Sequence, residues 1–152
     1  MKKIMLLIFG CNLMCLSPFL SAQTSELKLL ETKMDQAEIY LNNTQNTPKA
    51  WALAVEISNI IKKHPEYDDG EFAEGMIDVV SRLLTKPWNY AGPYITGNKS
   101  TGALQQFILD HINELTDPKD LKTMKNNVSK NCDQAKYPIC KKLLTKIQKS
   151  MP

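Results

Sequence analysis

The chain has 152 residues, with 19 basic and 16 acidic side chains and a formal net charge of +3. Two of the basic residues, Lys2 and Lys3, belong to an N-terminal leader, so the rest of the chain is close to neutral, with 17 basic against 16 acidic side chains. The near-neutral total gives no electrostatic case for a nucleic-acid-binding protein, because such a protein needs a clustered basic excess. Without residues 1–22 the chain keeps 130 residues, a normal size for one domain with one core.

Residues 1–22 have the layout of a secretory signal peptide. Two lysines precede a mostly apolar run, which ends at the small residues Ser21 and Ala22. A membrane anchor is the weaker interpretation, because polar residues interrupt the run and no second hydrophobic span follows. We therefore predict cleavage after Ala22, a single helical domain over residues 23–152, and a periplasmic or secreted protein with no membrane span after cleavage.

Two of the four cysteines leave with the leader, and Cys132 and Cys140 remain. Two cysteines in an exported chain favour a disulfide, because the compartment is oxidising. The loop between them is short, so the bond is expected to contribute about 2–3 kcal/mol. A metal site is the alternative for this pair, but neither His64 nor His111 is near in sequence and the CxxC spacing is missing. We therefore expect no bound metal.

Apolar residues recur with helical spacing in six segments, and no segment alternates convincingly with period two. The sequence therefore predicts an all-α fold of about six helices in stacked antiparallel pairs, either a helical bundle or a short α–α superhelix, with one disulfide. The predicted helices cover residues 26–42, 48–64, 71–84, 102–115 and 117–132, and a last one starts at Pro138.

The segment 48–64 has the widest apolar face, which covers more than half of its circumference. An ordinary surface helix has a narrower stripe, so we predict that this one is central and covered on two sides. The apolar face consists of Trp51, Leu53, Ala54, Val55, Ile57, Ile60 and Ile61.

Residues 86–99 contain Trp88, Tyr90 and Tyr94 together with two prolines and two glycines. Tyr and Trp often carry the binding energy of interfaces, and prolines reduce the ordering cost of a loop. We therefore predict a partner-binding loop, with Tyr94 at its exposed tip. The alternative, with about equal weight, is that the aromatic rings fold inward and close one end of the helix stack, Trp88 being the better candidate for this.

An acidic run follows His64, and its members Glu66, Asp68 and Asp69 are the second predicted partner-binding group. Five acids between residues 66 and 74 could instead hold a cation or supply catalytic carboxylates. The spacing does not fit a calcium-binding loop. We favour a solvated helix start in which the acids complement the helix dipole.

No arrangement typical of a nucleophile, a metalloprotease or a cofactor site is found in the sequence. Residues 92–100 resemble a phosphate-binding loop, but an extra residue shifts the lysine, Pro93 removes an amide and no strand precedes it. His64 is expected to stabilise a helix end, and His111 to be a hydrogen-bonded histidine near the core. We predict no cofactor and no catalytic residues.

These observations favour an exported, non-catalytic protein-binding module. Its most concrete form is an immunity-type inhibitor that neutralises a toxin delivered to the periplasm. One alternative is a small cell-wall hydrolase that uses the Glu/Asp cluster at 66–74. Another is a small-ligand or lipid carrier in which the central helix lines a cavity. The sequence leaves open whether the protein forms a homodimer.

Overall fold

The computed structural model describes the backbone of residues 17–152 and the side chains from Ser25 onward. Most of the predicted signal peptide, residues 1–16, lies outside the described residues. The described part is entirely helical, without a strand, and no helix in it is both long and apolar enough to cross a membrane. The α-helices are α1 (Ser17–Leu41), α2 (Thr47–Ile61), α3 (Gly70–Thr85), α4 (Trp88–Ile95), α5 (Gly102–Asp110), α6 (Pro118–Asn131) and α7 (Pro138–Ser150), and 3₁₀ turns lie at Thr44–Asn46 and Pro65–Tyr67.

The prediction of an all-α fold is confirmed, but the described residues form seven α-helices and not about six. The additional helix, α4, lies within the segment that was predicted to be a loop. Its buried residues Ala91, Tyr94 and Ile95 are spaced as on one helix face. Pro93 lies inside this helix and lacks the N–H that would bond to the carbonyl of Asn89. Glycine and proline in the segment concealed the helical period.

Among the helix ends, the start of α1 and the end of α5 differ most from the prediction. The first helix was expected to start at Glu26, but α1 already begins at Ser17, and proline is compatible with its second position, Pro18. The helix predicted to reach Leu115 ends at Asp110. Beyond it, the backbone N–H of Leu115 donates to Asn113 Oδ1 (2.9 Å), a local side-chain bond that competes with helix formation.

The central position of α2 is confirmed, because this helix packs against α1, α3, α4 and α5. Three residues of its predicted apolar face, Leu53, Val55 and Ile60, are only partly buried. The fully buried stripe follows a spacing of three and four residues, as expected for one face of a helix. It consists of Thr47, Ala50, Trp51, Ala54, Ile57, Ser58 and Ile61.

The last two helices form a hairpin that is closed by the predicted disulfide. Cys132 follows the last residue of α6 and Cys140 lies in the first turn of α7, with 5.5 Å between their Cα atoms. Asn127 of α6 attaches the hairpin to the rest of the fold. Its side-chain amide donates to the carbonyls of Leu84 (3.0 Å) and Lys86 (3.1 Å) at the end of α3.

Replacement of both cysteines by serine should lower the free energy of unfolding by about 2–3 kcal/mol, because the unfolded chain regains the entropy of the closed loop. Urea unfolding of the protein purified from the periplasm, followed by circular dichroism, measures this change. The helical signal of the native state should stay unchanged. A variant as stable as the oxidised wild type would show that the bond does not restrain the hairpin.

Candidate functional site

The two predicted partner-binding groups lie at opposite ends of α2. The aromatic residues belong to α4, which packs near the start of α2, where the Tyr94 hydroxyl donates to the carbonyl of Pro48 (3.2 Å). The acidic residues follow the end of α2 at Ile61. The 15 residues of α2 separate the groups by about 20 Å. They therefore do not form one continuous site.

Tyr94 is not an exposed tip, and this prediction is wrong. Its side chain is 5% exposed and its ring is stacked on Trp51, with 5.2 Å between the centroids and 13° between the planes. The helical form of α4 causes the difference, because Tyr94 falls three residues after the buried Ala91 on the inward face. Trp88 and Tyr90 are partly buried against the core. Their role in partner binding stays a prediction.

The carboxylates of the acidic turn each have a structural partner. Asp69 precedes α3 and accepts a hydrogen bond from the backbone N–H of Gly70 (2.7 Å). Glu66 lies 3.2 Å from His64 Nδ1. A hydrogen bond from its own backbone N–H, supported by His64, holds the pKa of Glu66 below its ordinary value. A carboxyl with a lowered pKa is poorly suited to donate a proton at neutral pH.

Asp68 forms the buried end of the turn through a contact with His111. The side chains are 19% and 4% exposed, and Asp68 Oδ1 lies 3.0 Å from His111 Nε2. The other ring nitrogen, Nδ1, is 2.8 Å from the carbonyl oxygen of Phe107. Both ring nitrogens thus lie within hydrogen-bond distance of an oxygen atom. The prediction of a hydrogen-bonded histidine near the core is confirmed, but its partner was not foreseen.

The Asp68–His111 pair lies beside a small cleft between the end of α2 and α5. The cleft has a volume of about 340 Å³, and Asp68 and Phe107 contribute to its wall. Lys62 and Asp110 place one charge of each sign at its border. The pair therefore joins the turn after α2 to the end of α5, next to a cleft that carries charges of both signs, and its evident contribution is structural.

A larger groove, of about 690 Å³, runs between α5 and α7. We call it the lysine groove. The residues from α7 recur every three or four positions and so lie on one face of that helix. The lining residues are Gln106, Leu109, Asp110, Gln134, Pro138, Lys141, Lys142, Thr145, Lys146 and Lys149. This site was not predicted, although the spacing of the lysines in residues 141–149 already indicates that they lie on one helix face.

The α7 side of the groove belongs to a part of the chain that is strongly basic. Residues 117–152 contain nine lysines and three acids, whereas residues 25–116 contain eight basic and thirteen acidic side chains. The near-neutral total therefore conceals two regions of opposite charge. Such a division creates a field that attracts and orients charged partners.

A second surface groove, of about 370 Å³, lies between α3 and α6 and has the opposite charge. Glu74 and Asp78 of α3 line it together with Asp117 and Asp120 at the start of α6. Leu115, which is 66% exposed, lies at its edge. Asp78 is already paired with Arg82, four residues later on the same helix (3.3 Å).

Among the described residues, no group of three or more His, Cys, Asp or Glu side chains is arranged to hold a metal ion. Comparisons with protein-family models, curated proteins and solved structures gave no match. The chemistry of the grooves and of the buried pair therefore has to indicate the function.

Replacement of Asp68 by alanine should lower the free energy of unfolding by about 1–3 kcal/mol, because His111 loses a buried hydrogen-bond partner. Asp68→Asn should cost less, since its amide can donate to Nε2 of a neutral imidazole. Urea unfolding at pH 7.5 measures both variants.

Glu66→Ala is the matched control, because it removes the exposed carboxylate–histidine contact of the same turn. Its stability should remain close to that of the wild type. Equal destabilisation by Glu66→Ala and Asp68→Ala would contradict a special role for the buried pair.

Proposed function

We propose that the protein is an exported, non-catalytic binding module that acts by docking on another protein. Its most concrete form is an immunity-type inhibitor of a toxin delivered to the periplasm. The observation that carries this proposal is the division of charge between residues 25–116 and the basic hairpin of residues 117–152. A protein with charge divided in this way can bind a partner surface of complementary charge.

The kinetic effect of charge supports an inhibitory role. Complementary charges raise association rates by about 10- to 1,000-fold, because they steer the partners before contact. An inhibitor of a delivered toxin has to bind before the toxin reaches its substrate. Rapid capture therefore matters for this function in addition to tight binding.

The hydrolase alternative has less support. A cell-wall hydrolase needs a carboxyl that gives up a proton near neutral pH, and the pKa of Glu66 is shifted in the opposite direction. Asp69 is used to cap α3 and Asp68 is used to hold His111. The acids of the 66–74 cluster that have clear partners thus serve the fold.

The carrier alternative also has less support. It requires the apolar face of α2 to line a cavity, but Trp51 and Ile57 on this face are fully buried in contact with neighbouring helices. The described grooves lie between other helices or at the end of α2. A tightly packed core leaves little room for a bound lipid.

The protein, purified oxidised from the periplasm and immobilised, should capture one partner in a stoichiometric complex from a periplasmic extract of its source. Mass spectrometry identifies the partner, and an activity assay tests it with and without the protein. Because charge steers the encounter, the association rate should fall steeply when NaCl is raised at constant pH.

Two results would refute the proposed function. One is an extract, shown to contain exported toxins or enzymes, from which nothing is captured in stoichiometric amount. The other is a captured enzyme whose activity is unchanged in the complex. A scaffold with the same total charge but without a lysine groove serves as the control for non-specific capture.

A further inference from the structure

We infer that the lysine groove between α5 and α7 is the docking site, and that its occupant is an acidic amphipathic helix of the partner protein. This inference rests on the proposed function and adds the place and the chemistry of binding. It follows from the spacing of the lysines, their lack of counter-charges and the apolar floor between them.

The lysines of α7 form a row along the groove. Lys142, Lys146 and Lys149 follow one another at intervals of four and three residues, which places them on one helix face. From Pro138 to Lys149 the groove follows α7 for about 17 Å, or three helical turns. A partner helix with carboxylates at the same spacing can pair with the whole row.

Within the described part of the chain, none of the four groove lysines forms an ion pair. The one acid in the groove, Asp110, accepts a hydrogen bond from the side-chain amide of Gln106 (2.8 Å). Among the described lining residues, four lysines thus face a single carboxylate, and the groove keeps an excess of positive charge. Carboxylates of a ligand would relieve their mutual repulsion, whereas a neutral or basic ligand would not.

The floor of the groove is apolar. Leu109 is partly buried there, and Pro138 and Thr145 add carbon surface. Lysine side chains also present four methylene groups below the ammonium group. An occupant that uses both the floor and the charges needs an apolar stripe beside an acidic one, and this is the pattern of an amphipathic helix that lies in a groove.

A membrane surface fits these observations less well. Helices that bind at a membrane interface insert large apolar side chains between the lipids. The exposed positions of α7 carry proline, lysine, threonine and glutamine, with no aromatic or large aliphatic side chain among them.

A second copy of this chain is not a good occupant either. The acids Glu71, Glu74 and Asp78 of α3 have a suitable spacing, but the apolar face of this helix is buried in its own core. It could offer a second copy only its charges. A partner helix with a free apolar stripe has no such limitation.

The test uses the full protein, purified from the periplasm, with two charge-reversal variants. Lys142→Glu/Lys146→Glu changes the groove, and Lys122→Glu/Lys125→Glu makes the same change of charge on α6. Each pair combines one exposed and one partly buried lysine, so the pairs are matched in burial. Circular dichroism and thermal unfolding verify the fold. If the groove variant is not folded, Lys142→Gln/Lys146→Gln replaces it.

The probe is a lactam-stapled helical peptide of about four turns, with glutamates at i, i+4, i+7 and i+11 beside a leucine stripe. Fluorescence anisotropy should show saturable binding to the wild type. The groove variant should bind at least about tenfold more weakly, and the control variant should differ from the wild type by less than about twofold. The same order should hold for any partner captured from the extract.

Four results would overturn the inference. The first is no binding of the peptide, and the second is an equal loss in both variants, which would indicate a general charge effect. The third is binding of the protein to vesicles containing phosphatidylglycerol when the peptide does not bind, which would assign the lysine row to a membrane surface. A captured partner that binds the groove variant normally would refute the groove while leaving the proposed function intact.

Discussion

The burial of Trp51 is the contact on which the arrangement of the helices depends. Its ring stacks on Tyr94 and so joins α2 to α4, while the same stripe of α2 packs against the other central helices. Within the described residues, neither Trp51 Nε1 nor the nearby Thr47 Oγ1 has a hydrogen-bond partner, although both atoms are buried. Unpaired buried groups cost free energy, so packing of the large apolar surface must offset this cost.

Sequence patterns were sufficient to predict a helix where its apolar residues lie on one face and that face is buried. The sequence of α3 places its apolar residues within one arc, and the structure buries that arc against α1 and α6. Proline at the first positions of α2, α6 and α7 marked three helix starts correctly. The disulfide followed from the number of cysteines and the expected compartment. These features depend only on neighbours along the chain or on composition.

The predictions that were wrong and the features that were not predicted depend on contacts between residues far apart in sequence. Asp68 and His111 are 43 residues apart, and no local pattern indicates that they meet. The helix α4 is short and contains Pro93, so its tertiary contacts outweigh its poor helix propensity. The lysine groove was not predicted, because the nearly neutral net charge of the chain does not show how the charges are distributed along it. Once the fold is known, the same residues divide into an acidic region and a basic hairpin.

We propose that a stable helical scaffold presents this hairpin to a charged partner. Hydrogen exchange, followed by mass spectrometry, tests this proposal. It is measured on the free protein and on its complex with the captured partner. If the partner binds the lysine groove, we expect slower exchange in residues 106–110 and 138–149 of the complex than of the free protein. Exchange in residues 66–69 and 88–95 should be unchanged. Protection of the acidic turn or of α4, with the groove exchanging as in the free protein, would contradict it.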